Sequence, residues 1–153
     1  MLKLTPAIRA ALVDQLALLR AAAPAAATDF DADRLTPGGD ATGALLRLCR
    51  SCLENGVEIT PATAAAACRG GCAQIAARWP GKTIELRVPP YAVCQFSFGV
   101  GPQHTRGTPG NVVECSAETF LALATGLRDW SNAAVTAAGS QAARAQEVFP
   151  LLA

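Results

Sequence analysis

The hydrophobic pattern changes its period at Pro80-Gly81, and this change limits the possible folds more than any other feature of the sequence. Before it, apolar residues recur at the spacing of amphipathic helices. After it, Ile84, Leu86 and Val88 alternate with polar neighbours, as in a strand that is buried on one face. Helices followed by strands predict an α+β domain, with a mainly antiparallel sheet covered on one face by helices.

Three helices are predicted before the change of period. The first and third each begin with a threonine followed by a proline, at Thr5-Pro6 and Thr60-Pro61. Threonine is a good N-cap, and proline suits the first helical position because its missing N–H has no partner there anyway. The second helix covers residues 41–55 and is predicted to end at Gly56 in the left-handed conformation. A short connection makes the second and third helices an antiparallel hairpin, preceded by the N-terminal helix.

Two glycines lie inside the third helix. The first helix is followed by a linker. Gly70 and Gly71 each lower helix propensity by about 1 kcal/mol relative to alanine, so we expect another element to approach the helix closely there. Residues 25–40 contain short polar residues, Pro37 and a glycine pair, which are typical of a linker. We therefore divide the chain into residues 1–40, an N-terminal helix and linker, and residues 41–153, the α+β domain, and expect one globular unit overall.

The second half of the sequence predicts three more strands and two helices. Residues 91–99 form a hairpin with the first strand, and residues 111–116 form the third strand. Ser116 caps a helix with Glu118 in its first turn, where negative charge suits the helix dipole. A last short strand begins at Val135, and a short apolar helix closes the chain.

Four of the six cysteines lie in the predicted helical hairpin, and their state has three candidate explanations. The spacing between them overlaps that of several zinc sites, and an antiparallel hairpin would place the two pairs at similar heights. The alternatives are a tetrathiolate zinc site, two disulfides, or buried thiols that act as small hydrophobic groups. We prefer buried thiols and predict no metal, with zinc kept as the minority hypothesis. The four residues are Cys49, Cys52, Cys68 and Cys72.

Charge and hydropathy exclude several classes of partner. With 13 basic and 12 acidic residues, the net charge of +1 gives no long-range attraction for nucleic acid. No apolar run is long enough to span a bilayer, so we predict no integral membrane contact. Arg9, Asp14 and Arg20 interrupt the apolar N-terminal segment, which argues against a signal peptide and for a cytoplasmic protein.

The loop that holds His104, the only histidine of the chain, is the place where catalysis would be sought. Cys94 or Cys115 could pair with it, but both cysteines are predicted on inward strand faces, where a thiol is usually inert. We therefore predict no enzyme, no catalytic residue and no cofactor. His104 and Arg106 are expected to hold the loop, with Glu114 as one partner. Alternatively, Arg106 would bind a ligand carboxylate or a lipid headgroup.

Four segments in a fixed order carry a resemblance to a known family. They are "ELRVPPYAVCQ", "GPQHTRGTPGNVVE", "ETFLALATG" with Trp130 four residues after Gly126, and "VTAAGS" before an apolar C-terminus. Together they resemble the bacterial sterol carrier family, in the short actinobacterial branch of the sterol-carrier-like fold, over roughly residues 82–153. The resemblance implies a sheet packed under helices, an apolar cavity, and ligands such as fatty acyl chains or sterols held without chemistry.

Two functions follow as hypotheses. The first is a non-catalytic carrier for an apolar ligand, a fatty acid or another lipid. Its ligand-binding residues would be Phe96, Phe98, Arg106, Phe120, Leu123, Trp130 and Phe149. The second is an interaction or structural module of the same fold with a filled cavity and no ligand, able to form a homodimer through its N-terminal helices.

Overall fold

Four α-helices and a four-stranded sheet make up most of the computed structural model, which describes residues 1–28, 30, 35–99 and 110–152. The helices are α1 (Pro6–Ala22), α2 (Thr42–Glu54), α3 (Pro61–Arg78) and α4 (Ala117–Ala124). The strands are β1 (Ile84–Val88), β2 (Ala92–Phe96), β3 (Val112–Cys115) and β4 (Val135–Ala138). Short 3-10 turns cover Pro24–Ala27, Trp130–Asn132 and Ala142–Val148. The predicted α+β class is confirmed, and the closing helix is a 3-10 helix.

The helix starts agree with the sequence. Thr5 Oγ1 accepts a hydrogen bond from the N–H of Ile8 at 3.3 Å, and Thr60 Oγ1 accepts one from the N–H of Thr63 at 3.4 Å. At α2 the N-cap position belongs to Ala41, which has no side-chain oxygen. The Asp40 carboxylate supplies the missing acceptor, 3.0 Å from the N–H of Thr42.

The sheet has the order β2-β1-β3-β4 and is mixed. β1 pairs with β2 in antiparallel fashion, as predicted, and β3 pairs with β4 in the same way, whereas the central β1–β3 pair is parallel. β2 ends beside the start of β1, where Phe96 faces Ile84, and β3 begins at the same edge, where Val112 faces Glu85. Because β2 ends and β3 begins at this same end of β1, β3 runs parallel to β1.

One face of the sheet is buried against the helices and the other faces outward. Ile84, Leu86 and Val88 are buried, which confirms the alternation seen in the sequence. On the opposite face, Arg87 lies 2.7 Å from the Glu85 carboxylate, and Gln95 donates to the same carboxylate at 3.1 Å. Among the described residues no helix combines the length and the hydrophobicity needed to cross a bilayer.

The glycine pair of α3 lies where two other helices approach. A Cβ atom at Gly70 would be 2.9 Å from the hydroxyl oxygen of Thr42 in α2. A Cβ atom at Gly71 would be 2.8 Å from the ring of Phe120 in α4 and 3.2 Å from Leu151. These distances are shorter than normal carbon contacts, so only glycine lets the three helices pack this closely. The expected close approach is confirmed.

The side chain of Gln15 links α1 to the connection between α2 and α3 by hydrogen bonds. Its fully buried side chain donates to the carbonyl of Glu58 at 2.9 Å and accepts from the N–H of Thr60 at 2.8 Å. Both partners lie in the connection between α2 and α3. The stripe of α1 that contains Leu12 and Leu16 joins the same buried cluster as the sheet. The domain boundary at residue 40 and the dimer through the N-terminal helices stay predictions.

Replacing Gly71 with alanine should destabilise the protein by about 1–3 kcal/mol, because the new methyl group overpacks against the buried ring of Phe120. Gly43→Ala is the matched control. Its Cβ would meet only the flexible end of Arg47 at 3.3 Å, and alanine favours the helix. Urea unfolding of both variants tests this, and equal loss of stability in the two would contradict the packing described for α3.

Gln15→Met should cost about 1–3 kcal/mol of unfolding free energy, because the change preserves volume but leaves the Glu58 carbonyl and the Thr60 N–H without their partner. The exposed Gln146 provides the control, since Gln146→Met should stay within about 0.5 kcal/mol of the parent. If the Gln15→Met protein is as stable as the control, the two hydrogen bonds of the Gln15 side chain contribute nothing to stability.

Candidate functional site

An open cavity of about 370 Å³ lies where α2, α3 and α4 meet the turn between β1 and β2. Ligand pockets in proteins commonly measure about 300–1,000 Å³, so the volume suits a small organic ligand. Most of its wall is apolar. It is lined by Leu53, Gly56, Val57, Glu58, Ile59, Ala64, Tyr91, Ala117, Glu118 and Leu121.

The connection between α2 and α3 forms one wall, and its conformation is fixed at both ends. Gly56 has φ +64°, which confirms the predicted left-handed end of α2. The N–H of Gly56 donates to the carbonyl of Leu53 at 3.4 Å, and the N–H of Val57 donates to that of Cys52 at 2.9 Å. This pair of hydrogen bonds is a Schellman motif, which satisfies the last carbonyls of α2 and reverses the direction of the chain. Gln15 holds the other end of the connection.

α4 and the β1–β2 turn form the other walls. Ser116 Oγ accepts from the N–H of Thr119 at 3.1 Å, which confirms the predicted cap and sets where α4 begins. Ala117 and Leu121 are four residues apart and therefore share the helix face that lines the cavity. The carbonyl of Tyr91 accepts from Nε of Arg69 in α3 at 3.2 Å, which attaches the turn to the helix layer.

Of the predicted ligand-binding residues, those that the structure describes do not line this cavity. Phe96 and Phe98 form one aromatic group, with ring centroids 5.8 Å apart, and Trp79 lies edge-on to Phe98 at 6.1 Å. The Arg144 guanidinium lies 4.7 Å from the centroid of the Phe98 ring. Neither phenylalanine lines the cavity described above.

A second aromatic group surrounds Phe149. Its ring lies edge-on to Phe120 at 5.9 Å and stacks on Trp130 at 6.1 Å. Phe120 and Leu123 are almost completely buried, and Trp130, expected in the core, is half-buried. The rings pack on each other, so these residues act in the core here. Their role as ligand contacts stays a prediction.

The loop that holds Arg106 and His104 lies outside the described residues. The predicted contact of Arg106 with a ligand carboxylate, and that of the loop with Glu114, therefore stay predictions.

Sequence reasoning missed the cavity because its wall combines short, separated pieces. Val57 and Ile59 alternate with Glu58 in the connection between α2 and α3, for which only a short length was predicted. This alternation of apolar residues is the one sequence pattern that could have predicted the wall, because a connection that faces only water is usually polar.

All six cysteines are free and buried. The thiol of Cys72 hydrogen-bonds that of Cys94 in β2, and this contact together with burial raises the pKa of Cys72. Burial raises the pKa of Cys68 to about 12 and that of Cys115 to about 11. Within the described ranges, no three histidine, cysteine or carboxylate side chains are placed to hold a metal ion.

The thiols should therefore react slowly with a disulfide reagent at pH 8 in the native protein, and six should react per chain in urea. The unfolded chain loses its thiol protons near the ordinary pKa of 9.0, before the folded one does. The contribution of these two thiols to the free energy of unfolding should therefore be fully present below about pH 9, and it should be lost as the pH rises towards 11 and 12.

Thiol titration and metal analysis of the same sample provide the check. Fewer than six thiols in urea without reductant would indicate a disulfide, and one zinc ion per chain would support the tetrathiolate alternative. Either result would contradict the free thiols described here.

The comparisons with known proteins agree with this architecture. A family model described as the bacterial SCP ortholog matches residues 60–151, more than half of the chain. The match begins at the N-cap of α3 and includes all four strands and α4. No curated protein matches the sequence. On the strength of the family match, the chain belongs to the bacterial SCP orthologs, a family of sterol carrier proteins.

Proposed function

We propose that this protein binds an apolar ligand, such as a fatty acyl chain or a sterol, and holds it without transforming it. The observation that carries the proposal is the open cavity between α2, α3 and α4. Membership of the sterol carrier family supports it. Each methylene group removed from water contributes about 0.8 kcal/mol, so the apolar residues of the wall favour a ligand with an apolar chain.

The walls of the cavity support binding rather than catalysis. Among the ten lining residues described above, the side chains that could act as nucleophiles are those of Glu58, Glu118 and Tyr91, and the structure shows none of them hydrogen-bonded to an activating base. The thiols elsewhere in the core have raised pKa values because they are buried, which keeps them in the unreactive neutral form at neutral pH.

The alternative function is an interaction module without a ligand. The aromatic groups favour it, because Phe96 and Phe120, two of the residues predicted to line a pocket, are fully buried and each packs against another ring. Its partner would be a second copy of the chain, bound through α1, where Val13 and Leu18 are exposed. Sedimentation analysis separates the two functions: a monomer that binds a long-chain probe excludes this alternative, and a dimer that binds none supports it.

Ala117→Trp should weaken binding of a neutral fluorescent long-chain probe at least tenfold, because the indole would occupy the cavity from a half-buried position on α4. Ala76→Trp is the matched control: Ala76 is also a half-buried helical alanine but lines a different groove, beside β2. It should change the affinity less than twofold.

Thermal unfolding of both variants shows whether each is folded at the temperature of the assay. Unchanged probe binding by folded Ala117→Trp would place the ligand elsewhere. A parent protein that binds no probe would make the proposed function wrong.

A further inference from the structure

The open cavity carries charge of one sign. Its ten lining residues include Glu58 on the α2–α3 connection and Glu118 on α4, and no lysine, arginine or histidine. The two carboxylates belong to different walls, so a ligand in the cavity meets negative charge from two sides. Both residues are exposed, so the polar end of a ligand could meet them while its apolar part contacts the apolar residues of the wall.

Neither carboxylate is neutralised by an ion pair among the described residues. Nearby, Glu54 is paired with Arg50 at 2.9 Å, and Nε of Arg69 donates to the Tyr91 carbonyl, so neither arginine is paired with Glu58 or Glu118 in the structure. Arg128 lines an adjacent groove together with Glu118, but the structure gives no ion pair between them. The charges of Glu58 and Glu118 therefore remain available to a ligand.

Two further features decide which headgroup the opening favours. The positive end of the α4 dipole would attract an anion, but Glu118 lies in that first turn and the Ser116 side chain already accepts the N–H of Thr119. Tyr91 adds an aromatic ring to the wall, and aromatic faces attract cations. A carboxylate headgroup would bring a third negative charge to this opening.

We propose that the cavity selects amphiphiles with an ammonium headgroup over carboxylates of the same chain length. This inference rests on the proposed function, since it needs an apolar ligand in the cavity. It assigns Glu58 and Glu118 as the residues that determine specificity for the headgroup, and it ranks a long-chain amine first, a long-chain alcohol second and a fatty acid last.

The test uses tetradecylamine, tetradecanol and tetradecanoate, below the concentrations at which they form micelles, in competition with a neutral fluorescent probe at pH 7. Exposed charge pairs each contribute little, but the sign of their effect reverses between the amine and the carboxylate. We expect the amine to bind about tenfold more tightly than the carboxylate at low salt. The ratio should shrink as salt rises, because exposed charges are screened.

The double variant Glu58→Gln and Glu118→Gln should bring the amine-to-carboxylate ratio close to one, because the amine loses affinity and the carboxylate gains it. Glu114→Gln, an exposed carboxylate of β3 that does not line this cavity, should preserve the ratio of the parent.

The outcomes separate the two levels of the proposal. Alcohol binding with equal affinities for amine and carboxylate, or with tighter carboxylate binding, overturns the headgroup selectivity and leaves the proposed function in place. A ratio that survives the double variant also overturns the assignment to Glu58 and Glu118. If none of the three compounds binds, the proposed function and this inference are both wrong.

Discussion

The fold depends on how closely other elements can approach α3. This helix contacts α1, α2, α4 and β2, so it lies at the centre of the helical layer. Gly70 and Gly71 remove side chains at the two points where Thr42 and Phe120 touch it. Helix propensity alone would favour alanine at both positions, so packing between the helices outweighs local preference there. Because α4 lies in contact with α3, its first turn can form a wall of the cavity.

The cavity is built from connections that polar contacts hold in place. Gln15 holds the Glu58 carbonyl and the Thr60 N–H, and the Schellman motif after α2 holds Val57. A wall that is already ordered loses little conformational entropy when a ligand binds, and preorganisation of this kind increases affinity. The same contacts fix the backbone position of Glu58. The Gln15 side chain therefore supports both the fold and the headgroup preference proposed for Glu58.

The sequence predicts the local parts of this structure well and the long-range parts less well. The Thr-Pro helix starts, the left-handed Gly56 and the alternation in β1 are local signals, and all were confirmed. The parallel β1–β3 pair depends on where a connection returns, which no local pattern encodes. The aromatic residues were expected to line a pocket, but residue type does not say whether a ring faces a cavity or another ring. The cavity itself combines residues as distant as Val57 and Leu121.

The proposed ligand site is the cavity between α2, α3 and α4. Its position can be tested by measuring backbone amide chemical shifts by NMR while tetradecanol is added. We expect the largest shift changes at Val57, Ile59, Tyr91 and Leu121, and small changes at Phe96 and Phe149. Changes centred on the two aromatic groups, or no saturable change at any of these residues, would contradict it.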